Sequence, residues 1–234
     1  MMTVCHAPWE NFPDVLLHAA ETAIKHDAVY AAAKSGDANA ASDLVRRSVN
    51  FQAMQRLAQM VAGRTAVFAS VHAEEANGRN AIPEALAVGL AEALGGSVDR
   101  DIVQANVVAH TGADGFTRLA RQASFAGDVE KGRCYVLVDD FIGQGGTLAN
   151  LRGHVEAQGG AVIAATVLTS KPFSAKIALD TEMLDLLRSN HASLEPWWKE
   201  RFGFGFDCLT QSEARYLVKS ADADSIRNRI LAAA

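Results

Sequence analysis

Two adjacent carboxylates, Asp139 and Asp140, stand just ahead of three glycines and a threonine, in the run Val136-Leu137-Val138-Asp139-Asp140-Phe141-Ile142-Gly143-Gln144-Gly145-Gly146-Thr147-Leu148. Paired carboxylates accept hydrogen bonds from vicinal sugar hydroxyls, or hold a hydrated Mg²⁺ that bridges to phosphate oxygens. Glycines at 143, 145 and 146 let the backbone take positive φ and come close to a ligand. Thr147 opens a helix whose free N–H groups can face an anion. One loop of this kind could grip a phosphate and a pentose together, so the segment reads as a sugar-phosphate site.

The residues that must position this loop agree. The apolar run 134–138 is short and rich in β-branched and aromatic residues, as an interior parallel strand should be, and its carboxyl end delivers the two acids. Other glycine loops fit poorly. A nucleoside-triphosphate loop needs Gly-Lys-Ser/Thr, and no Lys is present; a dinucleotide fingerprint needs a third Gly where Leu148 stands. The plain alternative is a tight strand-to-helix turn with its acids solvated at the rim.

With these residues in view, the segment resembles the phosphoribosyl-pyrophosphate signature of type I phosphoribosyltransferases: an apolar strand, two acids, two more apolar residues and a small-residue turn ending in Thr. Members commonly carry Thr-Thr-Gly or similar in the turn. Here it is Gly143-Gln144-Gly145, which removes hydroxyl donors and keeps the backbone amides. The resemblance implies that Asp139 and Asp140 hold the ribose hydroxyls, with Asp140 assisting the acceptor nitrogen or the ring cation. It implies that Gly143, Gln144, Gly145, Gly146 and Thr147 wrap the 5′-phosphate, and that Mg²⁺ is bound through substrate and water rather than by a protein ligand set. The implied reaction moves ribose 5-phosphate from phosphoribosyl pyrophosphate to a nitrogenous base and releases pyrophosphate. The alternative is a non-catalytic regulator on the same fold that senses phosphoribosyl pyrophosphate or a nucleotide. Members are often dimers, so a homodimer is expected. The resemblance covers about residues 65–170, by letters at 136–148 and by order of elements elsewhere.

Composition suits an enzyme-sized unit: 234 residues, 49% hydrophobic and 21% charged, enough for a sizeable core. A net charge of −5 without a long basic run argues against a general nucleic-acid surface. Cys5, Cys134 and Cys208 are odd in number and far apart, so neither a disulfide framework nor a structural zinc site is expected, and a reducing cytoplasm fits. No stretch approaches ~18 uncharged apolar residues, and the N-terminus lacks a basic then apolar leader, so a soluble, unprocessed protein with no membrane partner is expected.

The expected architecture is α/β: a doubly wound, mainly parallel sheet of the type I phosphoribosyltransferase kind, with N- and C-terminal helical additions forming a hood or cap. Residues 1–64 read as a helical layer, 65–172 as the α/β core and 173–234 as a helical extension. Within the first part, periodicity predicts one helix over residues 14–33 and a second from Ser42 through Met60 to Gly63. In the core, strands are expected at 65–69, 103–109, near 134–139 and at 161–168, with helices after Pro83 and from Thr147 to about Gln158. Ligands of such sheets sit outside the carboxyl ends of the strands.

Two further loops lie on that edge. Ser70 and Arg79, in the loop 70–80 after the first core strand, are candidates for pyrophosphate oxygens, with Glu74 and Glu75 making sense beside Mg²⁺ or solvent. His72 with Glu75 is read as surface polarity, not a transition-metal site. Residues 110–129 read as a lid carrying Arg118, Arg121 and Gln122, or as a solvated connector with one helical turn. Arg46, Arg47 and Arg56 are read as solvated. Beyond residue 173, helices are expected at 174–189, 195–201 and 225–233, and Thr210-Gln211-Ser212-Glu213 has capping-box spacing. The cluster Trp197, Trp198, Phe202, Phe204 and Phe206 is read as packing for these helices.

Overall fold

A computed structural model of the chain describes residues 6–71, 74–75, 78–108 and 114–234, with the backbone alone at 74–75. Five parallel strands form the central sheet: β1 (Leu16–Leu17), β2 (Ala66–Ser70), β3 (Ser97–Val98), β4 (Cys134–Ile142) and β5 (Ala161–Ser170), in the spatial order β1-β5-β4-β2-β3. The chain leaves β2 outward to β3 and leaves β4 in the other direction to β5. The boundary between β2 and β4 is therefore the switch point, where neighbouring loops separate and leave a crevice. The expected mainly parallel, doubly wound α/β sheet is what forms.

Burial explains the strand letters. All of β2, Ala-Val-Phe-Ala-Ser, is buried, as is most of β4, because both faces are covered by helices. On one face, α3 (Ala38–Ser48), α4 (Phe51–Val61) and α5 (Ile82–Leu94) contribute Leu44, Leu57, Leu86 and Leu90 to a core with Phe68, Val136 and Val138. On the other, α7 (Gly146–Ala157) contributes Leu148, Leu151 and Val155 to a core with Leu137 and Val167. Trp9 joins this second core, and Arg152 of α7 donates to the carbonyls of Ala7 and Pro8 at 3.1 and 2.9 Å, pinning the N-terminal segment across the helix. A third core unites α6 (Gly115–Ala120) with α8 (Thr181–His191), α9 (Leu194–Phe202), α10 (Gln211–Val218) and α11 (Ala223–Ala233). Trp198, Phe204 and Phe206 lie inside it, which bears out packing as their task.

Several local expectations are corrected. Residues 14–33 do not form one helix: Leu16 and Leu17 pair with Thr166 and Val167 on the edge of β5, and only α1 (Glu21–Lys25) and α2 (Tyr30–Lys34) are helical. Tertiary pairing overrides helix propensity there, reinforced by His18, whose Nδ1 accepts from the Asn50 N–H at 3.2 Å while Nε2 meets the Thr166 hydroxyl at 3.0 Å. The second helix is two, because the Asn50 side chain caps a new start by accepting from the Ala53 N–H. Asp37 caps the first of the pair earlier than Ser42. Val103–Gln104 does not join the central sheet but forms a separate two-stranded sheet, antiparallel with Phe125–Ala126, and β3 takes the place beside β2. The helix expected at 174–189 begins at Thr181, behind the Asp180 cap.

Leu86 is fully buried between α5 and the sheet, whereas Leu231 is 52% exposed. Leu86→Ala should lower the unfolding free energy by about 2–5 kcal/mol, and Leu231→Ala should stay within about 0.5 kcal/mol of the parent, as read by urea denaturation.

Candidate functional site

β4 is longer than its apolar letters suggest. It pairs with β5 through Phe141↔Thr169 and Ile142↔Ser170, so Asp139 and Asp140 lie within the strand rather than in the loop after it. Consecutive strand residues point to opposite faces, which sends the two carboxylates apart. Asp139 follows Leu137 toward the α7 side, and Asp140 follows Val138 toward the α3–α5 side. They remain joined through one bond, the Asp140 N–H donating to Asp139 Oδ1 at 2.8 Å. Both are 8% exposed. Burial, reinforced by the Asp140 charge, holds the Asp139 carboxyl well above the usual carboxylate range. Asp140 has a counter-ion that the sequence did not announce: Lys34 at the end of α2 places Nζ 3.0 Å from Oδ2.

The turn after β4 is built as a cradle. Gly145 takes φ +90° as the N-cap of α7, a left-handed conformation that favours glycine, and supplies no side-chain cap to the first helical amides. The carbonyls of the turn are tied off instead. Ser174 Oγ donates to the Gly143 carbonyl at 2.6 Å, and Thr210 Oγ1 donates to that of Gln144 at 2.5 Å. The side-chain amide of Gln144 is buried, with neither its oxygen nor its nitrogen bonded among the described residues. The close walls leave no space for side chains: a Cβ at Gly143 would lie 2.7 Å from Arg118 Nη1, and one at Gly146 would lie 2.6 Å from Glu213 Oε1.

Glu213 is 2% exposed and closes a capping box, its carboxylate accepting from the Thr210 N–H at 2.9 Å while its own N–H donates to Thr210 Oγ1 at 3.1 Å. Burial pushes its carboxyl from 4.5 up to about 7, against the opposing pull of the Thr210 bonds. A buried acid with this titration beside a phosphate-sized turn controls the local charge near neutrality.

The other candidates are distributed unevenly. Gly143, Gln144, Gly145, Gly146 and Thr147 form one continuous, half-buried turn, and Arg118 lies against it. Ser70 ends β2 on the same face as Val138 and is buried at 2% exposure, below the sheet edge. Arg79 is exposed and shares an ion pair with Glu84 at 3.4 Å. Arg121 donates from Nε to the Ala233 carbonyl at 2.8 Å, which ties it to the end of α11, and Gln122 is a buried link that accepts from Asn150 at 3.2 Å. The described part of the expected lid is thus anchored to the C-terminal helices. Residues 110–113 and His72 lie outside the described residues. Arg46 and Arg47 pair with Asp43 and Asp27 on the surface. Lys34, Ser174, Thr210 and Glu213 are the site residues that sequence reasoning missed; the capping-box spacing gave the local role of the last two, but not their contact with the turn.

No known family pattern matches this chain. Protein TraN of Escherichia coli is 41% identical over 228 residues, covering 97% of this chain and 51% of that protein. An uncharacterized protein of Haemophilus influenzae is 38% identical over 146 residues, covering 62% of this chain and 33% of that protein. The chain thus spans about half the length, or less, of these relatives. Among solved structures, adenine phosphoribosyltransferase from Thermoanaerobacter pseudethanolicus is 20% identical with a TM-score of 0.36, over 56% of this chain and 76% of that one. Adenine phosphoribosyltransferase from Leishmania donovani is 15% identical with a TM-score of 0.38, over 70% and 75%. Such identities and overlaps are too low for a substrate to transfer from those proteins to this one.

Glu213→Gln keeps the capping-box geometry, since Gln serves at that position, and removes the titration. In the parent, the folded chain retains a proton from pH 4.5 to about 7 that the unfolded chain has lost, so this group makes stability fall as pH rises through that window. The Gln variant should gain on the parent between those limits by up to about 3 kcal/mol, read as the difference in urea denaturation. His6 and His18, both held down to about 4, act in the opposite sense, losing stability as pH falls from 6.5, but equally in the two proteins.

Proposed function

We propose that this chain binds phosphoribosyl pyrophosphate with Mg²⁺ and transfers the ribose 5-phosphate group to a nitrogenous base, releasing pyrophosphate. One observation carries this reading: at the switch point of a parallel sheet, two acids lie near the carboxyl end of a central strand, which two residues later enters a glycine turn whose carbonyls are bonded away and whose amides open α7. That arrangement suits a phosphate monoester on the amide side and pentose hydroxyls beside the carboxylates.

The chemistry is electrostatic. As pyrophosphate departs, positive charge develops on the sugar ring and negative charge on the leaving group, so fixed dipoles and charges that match this pattern lower the barrier. Asp140, beside Lys34, is placed to accept from a ribose hydroxyl and to stabilise the ring cation. Asp139, inclined to keep its proton, is suited to donate as well as to accept a hydrogen bond. Arg118 adds positive charge at Gly143. The donor set fits a Mg²⁺ that arrives on substrate oxygens and water, since Asp139 and Asp140 offer carboxyl oxygens near the turn. When bound, the ion would neutralise leaving-group charge.

The position of Glu213 beside Gly146 favours a second reading, a regulator that binds the same ligand without turnover, because the carboxyl loses its proton as pH rises through about 7 and then opposes a dianion. No helix among the described residues is long and apolar enough to cross a membrane. We propose a cytoplasmic protein acting on small molecules, as a homodimer, with no nucleic-acid or membrane partner.

Calorimetry with phosphoribosyl pyrophosphate and Mg²⁺, followed by pyrophosphate release with a panel of purine, pyrimidine and pyridine bases, tests both readings. The parent should bind, and release should accompany one class of base. Asp139→Asn/Asp140→Asn should weaken binding at least tenfold. Binding without release for every base selects the regulator; a double variant that binds as tightly as the parent overturns the site.

A further inference from the structure

The loop after β2 meets the N-terminal helices at a point neither segment reveals alone. A Cβ at Gly78 would lie 2.8 Å from the Ser35 carbonyl oxygen, and one at Gly36 would lie 3.1 Å from that of Arg79. The Ala81 N–H donates to the Ala33 carbonyl at 3.1 Å. Residues 33–36 and 78–81 are therefore interlocked backbone to backbone. Lys34 projects from this junction to Asp140, 3.0 Å away, so its ammonium spans the crevice between the end of β2 and the end of β4.

The charges around the crevice are unbalanced for a pyrophosphate. Asp140 adds a carboxylate at the end of β4, and Arg79 of the β2 loop stands exposed with Glu84. Lys34, with its side chain 24% exposed, brings a positive charge to the crevice at Asp140. Its four-carbon stem lets the ammonium change partners by rotation alone, while the locked backbone keeps its root in place.

Resting on the reading of this site as one for phosphoribosyl pyrophosphate, we propose that Lys34 is the cation of the pyrophosphate subsite, exchanging Asp140 for pyrophosphate oxygens when that ligand binds. Asp140 is released at the same moment to accept a ribose hydroxyl, so one lysine couples the two halves of the ligand.

Comparison of two ligands tests this. Lys34→Met keeps the stem and removes the charge; Lys34→Gln is a second neutral variant, and Lys34→Arg restores a cation. Calorimetry with Mg²⁺ should show phosphoribosyl pyrophosphate weakened tenfold or more by both neutral variants and largely rescued by Arg. Ribose 5-phosphate, which lacks the pyrophosphate, should change by less than twofold. Equal weakening of both ligands would make Lys34 only a positioning partner of Asp140 and overturn the proposal, as would no weakening of either. A parent that binds neither ligand would instead defeat the reading of the site itself.

Discussion

The pairing of β4 with β5 is the constraint on which the remaining structure depends. Because the ladder continues through Phe141↔Thr169 and Ile142↔Ser170, the central strand carries two carboxylates into the interior before the chain is allowed to turn. Three consequences follow from that extension. The acids face opposite layers, their burial becomes nearly complete, and the turn must reverse direction within a few residues, which the left-handed Gly145 makes feasible. A buried carboxylate is tolerated only with compensation, and the two acids find different kinds: Asp140 has a cation, while Asp139 accepts from a backbone donor and is held well above the usual carboxylate range.

The glycine turn is likewise held from outside its own sequence. Its carbonyls are bonded by hydroxyls 31 and 66 residues further along, and its flanks are filled by Ile177 and Glu213. What a strand-turn-helix motif contributes locally is a backbone path; the side chains that flank the path come from the segment beyond residue 173. The N-terminal helices do the equivalent for the acids through Lys34, while also supplying one of the two sheet-facing layers.

This division explains what was legible in the sequence. The turn was readable because glycine and aspartate act through backbone geometry and short-range chemistry, which adjacent letters encode. The alternation of buried strands and helices was readable for the same reason, through β2, β4 and β5. The stretch 14–33 was not, since Leu16 and Leu17 become a strand only by finding the edge of β5 some 150 residues away. The break at Asn50 was written in a strong capping residue, but the run of apolar positions on either side masked it. Lys34 and Glu213 were invisible because an ordinary helical lysine and a capping glutamate acquire their roles only from what tertiary packing sets beside them. Arg79, Arg121 and Gln122 illustrate the converse: polar letters in suggestive loops were engaged by other parts of the molecule.

The hydroxyl bonds from Ser174 and Thr210 carry one more implication. They join the turn to a helical bundle with its own core, so the free energy of occupying the turn and the free energy of docking that bundle are linked quantities. Thermodynamic reciprocity then requires that any occupant which tightens the turn also shifts the bundle toward its closed state, and that loosening the bundle weakens the occupant's grip by the same factor. The carboxyl-terminal quarter of the chain is in this sense a reporter of what the glycines hold.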